Sequence, residues 1–440
     1  MRRILWFRRD LRVDDNPLLA LDGEVFPIFI FDTNILTKLP QNDKRVSLIY
    51  EGVLRLKQSL QKLGLELKIF HGEPVEIFKS LLLEDFDEVV ASGDYDAYAK
   101  ERDLSISHLI HFRYVNDTYL LKPKEVMKKD GSPYLVFTPF YKAALPILEQ
   151  KDFSVFTNAN QKLYDFDYTN AITLDSMGFE MQQVAFAYTR DDVSAFFAKI
   201  EHYETQRDYL SIDATSHLSV ALRFGFVSVR ELYRHAKVSK NGTAFIRQLL
   251  FRDFYAYLLF HFPSLAFENH KGSFNGVCDE QKFVSFCEAR TGVPIVDAGV
   301  RELLETGNMH NRVRMVVASF FTKDLLLPWQ WGEAFFAAHL LDYDASANVL
   351  SWQWSAGTGI DPQPYFRVFN PYLQSKKFDK DGVYIIKQIK ELRGVEAKNL
   401  HNEEYLLSAT IQNYPKPMVL HKEAAKIAIE SFKKGVMSDV

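Results

Sequence analysis

VFPIFIFD, residues 25–32, is an apolar run closed by an acid, and it predicts a buried strand. Four more short runs of the same kind stand around it: RRILWF (2–7), LKIFHG (67–72), DEVVASG (87–93) and FRYVND (112–117), each bounded by turn signals. Between them, VSLIYEGVLRLKQSLQKLG (46–64) and PVEIFKSLLLE (74–84) carry helical periodicity. Strands alternating with helices predict a doubly wound, Rossmann-like parallel sheet over residues 1–128. The turn after the first strand reads RRDLRVDDNPLL (8–19) and contains no GxGxxG, which argues against ordinary dinucleotide binding there.

Beyond the sheet the alternation is lost. From 129 to 190, GSPYLVFTPF (131–140) gives way to a Thr-, Asn- and Asp-rich passage through LYDFDYTN (163–170), and a long connector is expected. From 191 onward nearly everything is helical, with breaks at Pro263, Gly292–Pro294, Pro328 and Gly357–Pro364. The expected plan is an α/β domain (1–128), a connector (129–190) and an all-helical domain (191–440).

The chain has 440 residues, 47% hydrophobic and 25% charged, enough for two or three domains with a large core. A net charge of −4 means that any nucleic-acid contact must come from a local basic patch. The two cysteines, Cys278 and Cys287, have neither metal nor CxxC spacing, which suits a reducing compartment. The start, MRRILWFRRDLR, returns to charge before an apolar region of signal-peptide length forms. No apolar run approaches the roughly 18 residues of a membrane span. A soluble, cytoplasmic, monomeric protein is expected, with no membrane partner.

The chemistry concentrates in the helical part. DYDASANVLSWQWSAGTGIDPQPYFRVFNP (342–371) spaces Asp344, Asn348 and Trp352 at i, i+4, i+8, one helical stripe of acid, amide and indole. Such a stripe suits a pocket wall for a flat polar ligand; it equally suits a solvated helix end beside a core Trp. TGNMHNRVRMVVASF (306–320) puts Asn311, Arg314 and Met315 on one face, and Arg314 is expected to clasp Asp342 bidentately between two helices. DATSHLSVALRFG (213–225) gathers Thr215, Ser216 and Ser219 around a predicted helix start, either a phosphate site or a simple N-cap. In RQLLFRDFY (247–255), Gln248, Phe251, Arg252 and Tyr255 share a face that suits a base edge and a phosphate, or an amphipathic helix with snorkelling ends. His310 has no second ligand at metal spacing, and no metal is expected.

Taken in order, WFRRDLRVDDNPLL, TSHLS, FRDFY, TGVPIVDAGVRELLETGNMHNRVRM and WQWSAGTGIDPQPYFRVFNP resemble the photolyase/cryptochrome family over almost the whole chain, and within it the class I enzymes for cyclobutane pyrimidine dimers. The resemblance implies an antenna-binding α/β domain and a helical domain holding FAD. It implies that Tyr203, Thr215, Ser216, Leu218 and Ser219 serve the phosphate and adenosine side of the flavin. Asn311, Arg314, Asp342, Asp344 and Asn348 would serve the flavin ring, with Arg314 and Asp342 as an ion pair. Trp352 and Trp329 match the inner members of an electron-transfer chain. Asn311 and Met315 resemble the dimer-repairing type rather than the (6-4) type, which carries histidines there. Trp354 matches an aromatic that packs on a flipped dimer, and Arg207, Arg312 and Arg367 match DNA phosphate contacts. Base flipping by photolyases is a general property of the class. SGDYDAYAKERD (92–103) resembles a folate-contacting segment, with Asp96 near a carboxylate position; the antenna is expected to be a folate, a deazaflavin or a flavin.

Three departures stand out. Dimer-repair members usually have Glu and Trp where this chain has Gln248 and Phe251, and Asn308 replaces a Trp. The outermost tryptophan of the electron chain is missing from FNGVCDEQKF (274–283), where Trp331 or a tyrosine is the expected substitute. Two functions follow: a light-driven DNA repair lyase acting on pyrimidine dimers, or a cryptochrome-type blue-light receptor without repair.

Overall fold

The computed structural model describes residues 1–164, 171–184, 190–272 and 276–437. Part of the Thr-, Asn- and Asp-rich passage (165–170), together with Phe274 and Asn275, lies outside the described residues.

The five expected strands form where the sequence places them: β1 (Arg2–Phe7), β2 (Gly23–Asp32), β3 (Lys68–Gly72), β4 (Glu88–Ser92) and β5 (Phe112–Val115). They pair in parallel in the order β3-β2-β1-β4-β5, and β6 (Gln161–Leu163) adds to β2 at Gly23–Val25. Helices α1 (Lys44–Gln61), α2 (Pro74–Leu81) and α3 (Ala97–Ser107) connect them. Ile4, Trp6, Phe26, Ile28, Phe70, Phe78, Val89 and Ile106 form a core on the sheet. At the point where strand order reverses, between β1 and β4, a dinucleotide fold would open a glycine-rich crevice. Here side chains fill it. Arg8 pairs with Asp103 at 2.7 Å and also donates to the Ser92 carbonyl, while Arg9 pairs with Asp94 at 2.8 Å.

Contacts divide the chain into two compact units: Met1–Tyr134 with Thr138–Ala198 and Ser216–Pro263, and Leu135–Phe137 with Lys199–Thr215 and Ser264–Val440. These differ from the expected boundaries at 128/129 and 190/191 in two respects. The expected connector contains a helix, α4 (Phe137–Gln150), whose Phe140, Ala144 and Leu148 form a buried i, i+4, i+8 stripe. Pro139 stands in its first turn, where no intrahelical N–H is needed, and Pro146 lies inside it. Further on, α5 (Ser219–Phe224), α6 (Val229–Val238) and α7 (Thr243–His261) group with the sheet rather than with the later helices. Buried polar ties account for this. Arg230 of α6 pairs with Asp117 at 2.8 Å, and the same carboxylate takes Arg12 at 2.6 Å. Asp15 accepts from Ser228 at 2.6 Å and from Arg234 at 3.0 Å. Asp253 of α7, buried, accepts the Leu121 N–H at 2.9 Å.

The second unit is helical: α8 (Pro294–Thr306), α9 (Asn311–Ser319) running into a π-helical turn (Phe320–Asp324), α10 (Trp329–His339), α11 (Ala345–Ala356), α12 (Pro371–Phe378) and α13 (His421–Met437). Val300, Val313, Val317, Phe321, Phe336, Trp352, Ile385 and Leu392 belong to its core. α11 stops at Gly357, whose φ of 88° is a left-handed conformation that a side chain would strain.

Candidate functional site

In the second unit, α9 begins with His310 as its cap, the ring Nδ1 accepting the Arg312 N–H at 3.1 Å. Asn311 is exposed on the first turn, and its amide meets the sulfur of Met315, one turn on, at 3.8 Å. Arg314 does pair with Asp342, but through one bond of 2.9 Å, not a bidentate fork. Its Nε is spent on the Met309 carbonyl at 2.7 Å, and Asp342 sits in the turn before α11 rather than on a helix. The second oxygen of Asp342, Oδ1, is buried without a protein partner.

Asp344 opens the expected stripe, its carbonyl accepting the Asn348 N–H at 2.9 Å. It is the N-cap of α11, one oxygen accepting the N–H groups of Ser346 (3.1 Å) and Ala347 (3.3 Å) and the Ser346 hydroxyl. Asn348 is buried one turn later and donates both amide protons to Glu333 of α10, at 3.0 Å to its backbone carbonyl and 2.8 Å to its carboxylate. Glu333 was absent from the sequence expectation; the signal available was one acid in the otherwise apolar WQWGEAFFAAH. Burial pushes its carboxyl above the usual carboxylate range, and the Asn348 bond offsets part of that rise.

Trp352 is almost wholly buried, edge-on to Phe336 (4.9 Å) and Phe321 (5.4 Å), with its indole N–H unpartnered. It can lie against α10 only because residue 332 is glycine: a Cβ there would stand 2.2 Å from the indole ring. Trp329, at the start of α10, donates its N–H to Asn269 at 2.8 Å. Trp331 is half-buried with its ring centre 5.1 Å from that of Phe283, so an indole does lie beside the segment that lacks one.

Among the other expected contacts, Trp354 is half-buried 6.5 Å from Phe369, and Arg367 is exposed in the segment after α11. Arg312 pairs with Asp208 at 2.9 Å and lies 4.4 Å over Phe378. Arg207 lies 5.3 Å over the ring of Tyr203, whose buried phenol is pushed up by desolvation and pulled partly back by Arg207. Thr215 is half-buried in the same unit.

The remaining expected residues belong to the first unit. Ser216 accepts the Leu218 N–H at 3.3 Å, and Leu218 caps α5 with no side-chain bond to its N–H groups; Ser219 opens that helix, exposed. Gln248 and Phe251 stand half-buried along α7, with Tyr255 6.2 Å beyond Phe251. Arg252 corrects the expected face. Its guanidinium donates to the backbone carbonyls of Thr118 and Leu222 and stacks on Tyr119 at 4.5 Å, so it ties α7 to the sheet unit and does not join Gln248. Asp96 caps α3, accepting from Ala99 at 2.8 Å. Among the described residues, no group of three His, Cys, Asp or Glu side chains is placed to hold a metal, and no helix is long and apolar enough to cross a membrane.

Residues 3–157 match the family described as DNA photolyase, and residues 245–434 match the FAD binding domain of DNA photolyase. The deoxyribodipyrimidine photo-lyase of Alkalihalophilus pseudofirmus is 34% identical over 98% of both chains. The chain belongs to the DNA photolyase family. A crystallised class III photolyase from Agrobacterium tumefaciens superimposes with a TM-score of 0.87 at 31% identity, covering 99% of this chain and 98% of that one. An archaeal photolyase from Sulfolobus tokodaii, crystallised with two FAD molecules, gives 0.85 at 29% identity over 99% and 100%. The residues present fit a photolyase flavin. The buried, partnerless Asp342 Oδ1 is an acceptor in want of a donor, which a flavin ring carries.

Proposed function

We propose that this photolyase repairs cyclobutane pyrimidine dimers in DNA by light-driven electron transfer. The observation that carries the reading is the Asn311–Met315 contact on the exposed first turn of α9, an amide and a thioether where a (6-4) enzyme would offer imidazoles. When bound, reduced FAD supplies a photoexcited electron to the lesion and receives it back, so the reaction has no net redox change.

The chain's own residues bind and orient. Asp342, held by Arg314, and Asn348, held by Glu333, present acceptors to the ring, and Asp344 fixes the start of α11 beneath them. Tyr203, Thr215, Ser216, Leu218 and Ser219 serve the phosphate and adenosine part. Trp352 and Trp329 carry electrons that recharge the cofactor, with Trp331 as the outer donor. Gln248, Phe251 and Trp354 receive the flipped dimer, and Arg207, Arg312 and Arg367 meet phosphates. The Agrobacterium neighbour is a class III enzyme, so the reading rests on substrate and not on class I membership. The antenna, a folate, a deazaflavin or a flavin, belongs to the first unit, where a cavity of about 240 Å³ at the C-terminal ends of β2 and β3 is lined by Thr33, Leu36, His71, Met177 and Phe179. The protein works as a soluble cytoplasmic monomer.

Gln248 and Phe251 favour a second reading, a cryptochrome-type receptor. One experiment separates the two: chemically reduced holoprotein, a dimer-containing oligonucleotide, and matched light and dark samples. Light-dependent dimer loss supports repair. No repair by wild type, with repair gained by Gln248→Glu plus Phe251→Trp, would make the natural protein a receptor on a repair scaffold.

A further inference from the structure

α9 does not simply end at Ser319; it continues into one π-helical turn, Phe320–Asp324, in which every residue is buried. A π-turn inserts an extra residue into the helical register, and such turns concentrate at functional sites. Here Lys323 and Asp324, neighbours in sequence, are both buried. Asp324 Oδ1 meets His421 Nδ1 at the start of α13, 2.5 Å away. Lys323 has no carboxylate within ion-pair distance among the described residues. Its Nζ donates to the Tyr365 carbonyl at 3.2 Å and stands 3.8 Å from the centre of the Phe432 ring on α13. A cation with one carbonyl, one aromatic face and no counter-ion costs stability that a methionine of similar length would spare. A fold under selection for stability alone has no use for it.

Its partner suggests the use. Tyr365 lies in the segment between α11 and α12, two residues before the exposed Arg367. Gln363 of that segment is bonded back to the carbonyls of Trp354 and Ser355, at 3.2 and 2.9 Å. We propose that Lys323 is a positioning residue for DNA binding: its ammonium pins the Tyr365 carbonyl and thereby sets Arg367 and Trp354 for the lesion strand. This rests on the repair reading, in which both residues meet DNA.

Around the turn, Asp324 and His421 are engaged with each other, Glu403 and Tyr372 act on Asp324, and at the end of α11 the Cβ position of Gly357 is 3.3 Å from Nζ. Burial pulls the Lys323 amine down to about 7, while Asp324 is raised to about 6. Lesion affinity is therefore expected to be highest below neutrality and to fall as Lys323 loses its proton. Stability runs the opposite way. The unfolded chain holds the extra proton between about 7 and the ordinary 10.5, so stability rises with pH through that window.

The test uses FAD-loaded wild type, Lys323→Met, Arg367→Ala and the double variant. Affinity for a dimer-containing duplex is measured from about pH 6.5 to 8.5, across the amine's titration, and Tm is measured alongside. At the acid end Lys323→Met should bind about tenfold more weakly, the weight of one hydrogen bond to a charged group. It should lose the pH dependence, melt higher than wild type, and add little to the effect of Arg367→Ala, because both act through one segment. A residue that merely supports the fold would lower Tm and affinity together. Wild-type affinity in Lys323→Met, or losses that add in full with Arg367→Ala, overturns the positioning role. Should the Met variant fail to fold, the wild-type series decides, and a flat profile across the range overturns it. Wild type without lesion affinity at any pH sinks the repair reading, and this role with it.

Discussion

Asn348 gives both of its amide protons to Glu333, one to the main-chain carbonyl and one to the carboxylate, at 3.0 and 2.8 Å. A carbonyl only accepts, so the amide cannot be reversed, and Asn348 Oδ1 is held outward as an acceptor. Glu333→Ala removes one restraint and strands a buried N–H. Loss of about 1–3 kcal/mol of stability is expected, the cost of an unmade buried hydrogen bond. The reduction potential of bound FAD should shift as well, while Glu333→Gln, which keeps the acceptor, should change it less. A redox titration that finds equal potentials in wild type and Glu333→Ala would show that this orientation does not tune the cofactor.

Gly332 and Trp352 form a second dependent pair. A methyl group at 332 would stand 2.2 Å from the indole, so Gly332→Ala must push the ring or the helix aside. Overpacking of this kind costs about 1–3 kcal/mol. Trp352→Phe should abolish light-driven reduction of oxidised cofactor while sparing repair by chemically prereduced protein. Gly332→Ala should slow the same photoreduction without removing the indole. Photoreduction at the wild-type rate in both variants would mean that electrons enter elsewhere.

The sheet was legible because strands buried on both faces write themselves as continuous apolar runs, as in VFPIFIFD. α4 was not, since Pro139 and Pro146 obscure the helical stripe of Phe140, Ala144 and Leu148. The grouping of α5–α7 with the sheet depends on pairs such as Asp117–Arg230, more than a hundred residues apart, which no local period reveals. Arg252 shows the same limit at one residue. Periodicity predicts where a Cβ points, but a guanidinium reaches far enough to bond Thr118 instead of the face it starts from. The Arg314–Asp342 pair was legible and its geometry was not, because the Met309 carbonyl competes for the same donors.

Asp253 offers a test of that long-range grouping. Burial raises its carboxyl to about 7 from an ordinary 3.8. A raised folded value means that the native chain holds a proton the unfolded chain has lost, so the group's contribution to stability falls as pH climbs from about 4 to about 7. Asp253→Asn cannot titrate. Its Tm should vary less than that of wild type across this window, and the gap between the two should change mainly there. A pH profile parallel to wild type would mean that Asp253 ionises in the fold without penalty.

The arginines expected to meet DNA are not equivalent in the structure. Arg367 is exposed, whereas Arg312 already holds Asp208 at 2.9 Å and lies over Phe378. Neutralising a phosphate releases counterions, and each contact contributes about one unit to the slope of log affinity against log salt. Arg367→Ala should therefore weaken binding to a dimer-containing duplex and flatten the slope by about one unit. Arg312→Ala should do less, because its charge is shared with a carboxylate that the phosphate must displace. The sharper variant is Asp208→Asn. Freed of its partner, Arg312 should bind phosphate more strongly, so affinity at low salt rises and the slope steepens. An Asp208→Asn protein with unchanged affinity and slope would place Arg312 outside the DNA contact and leave it a structural ion pair.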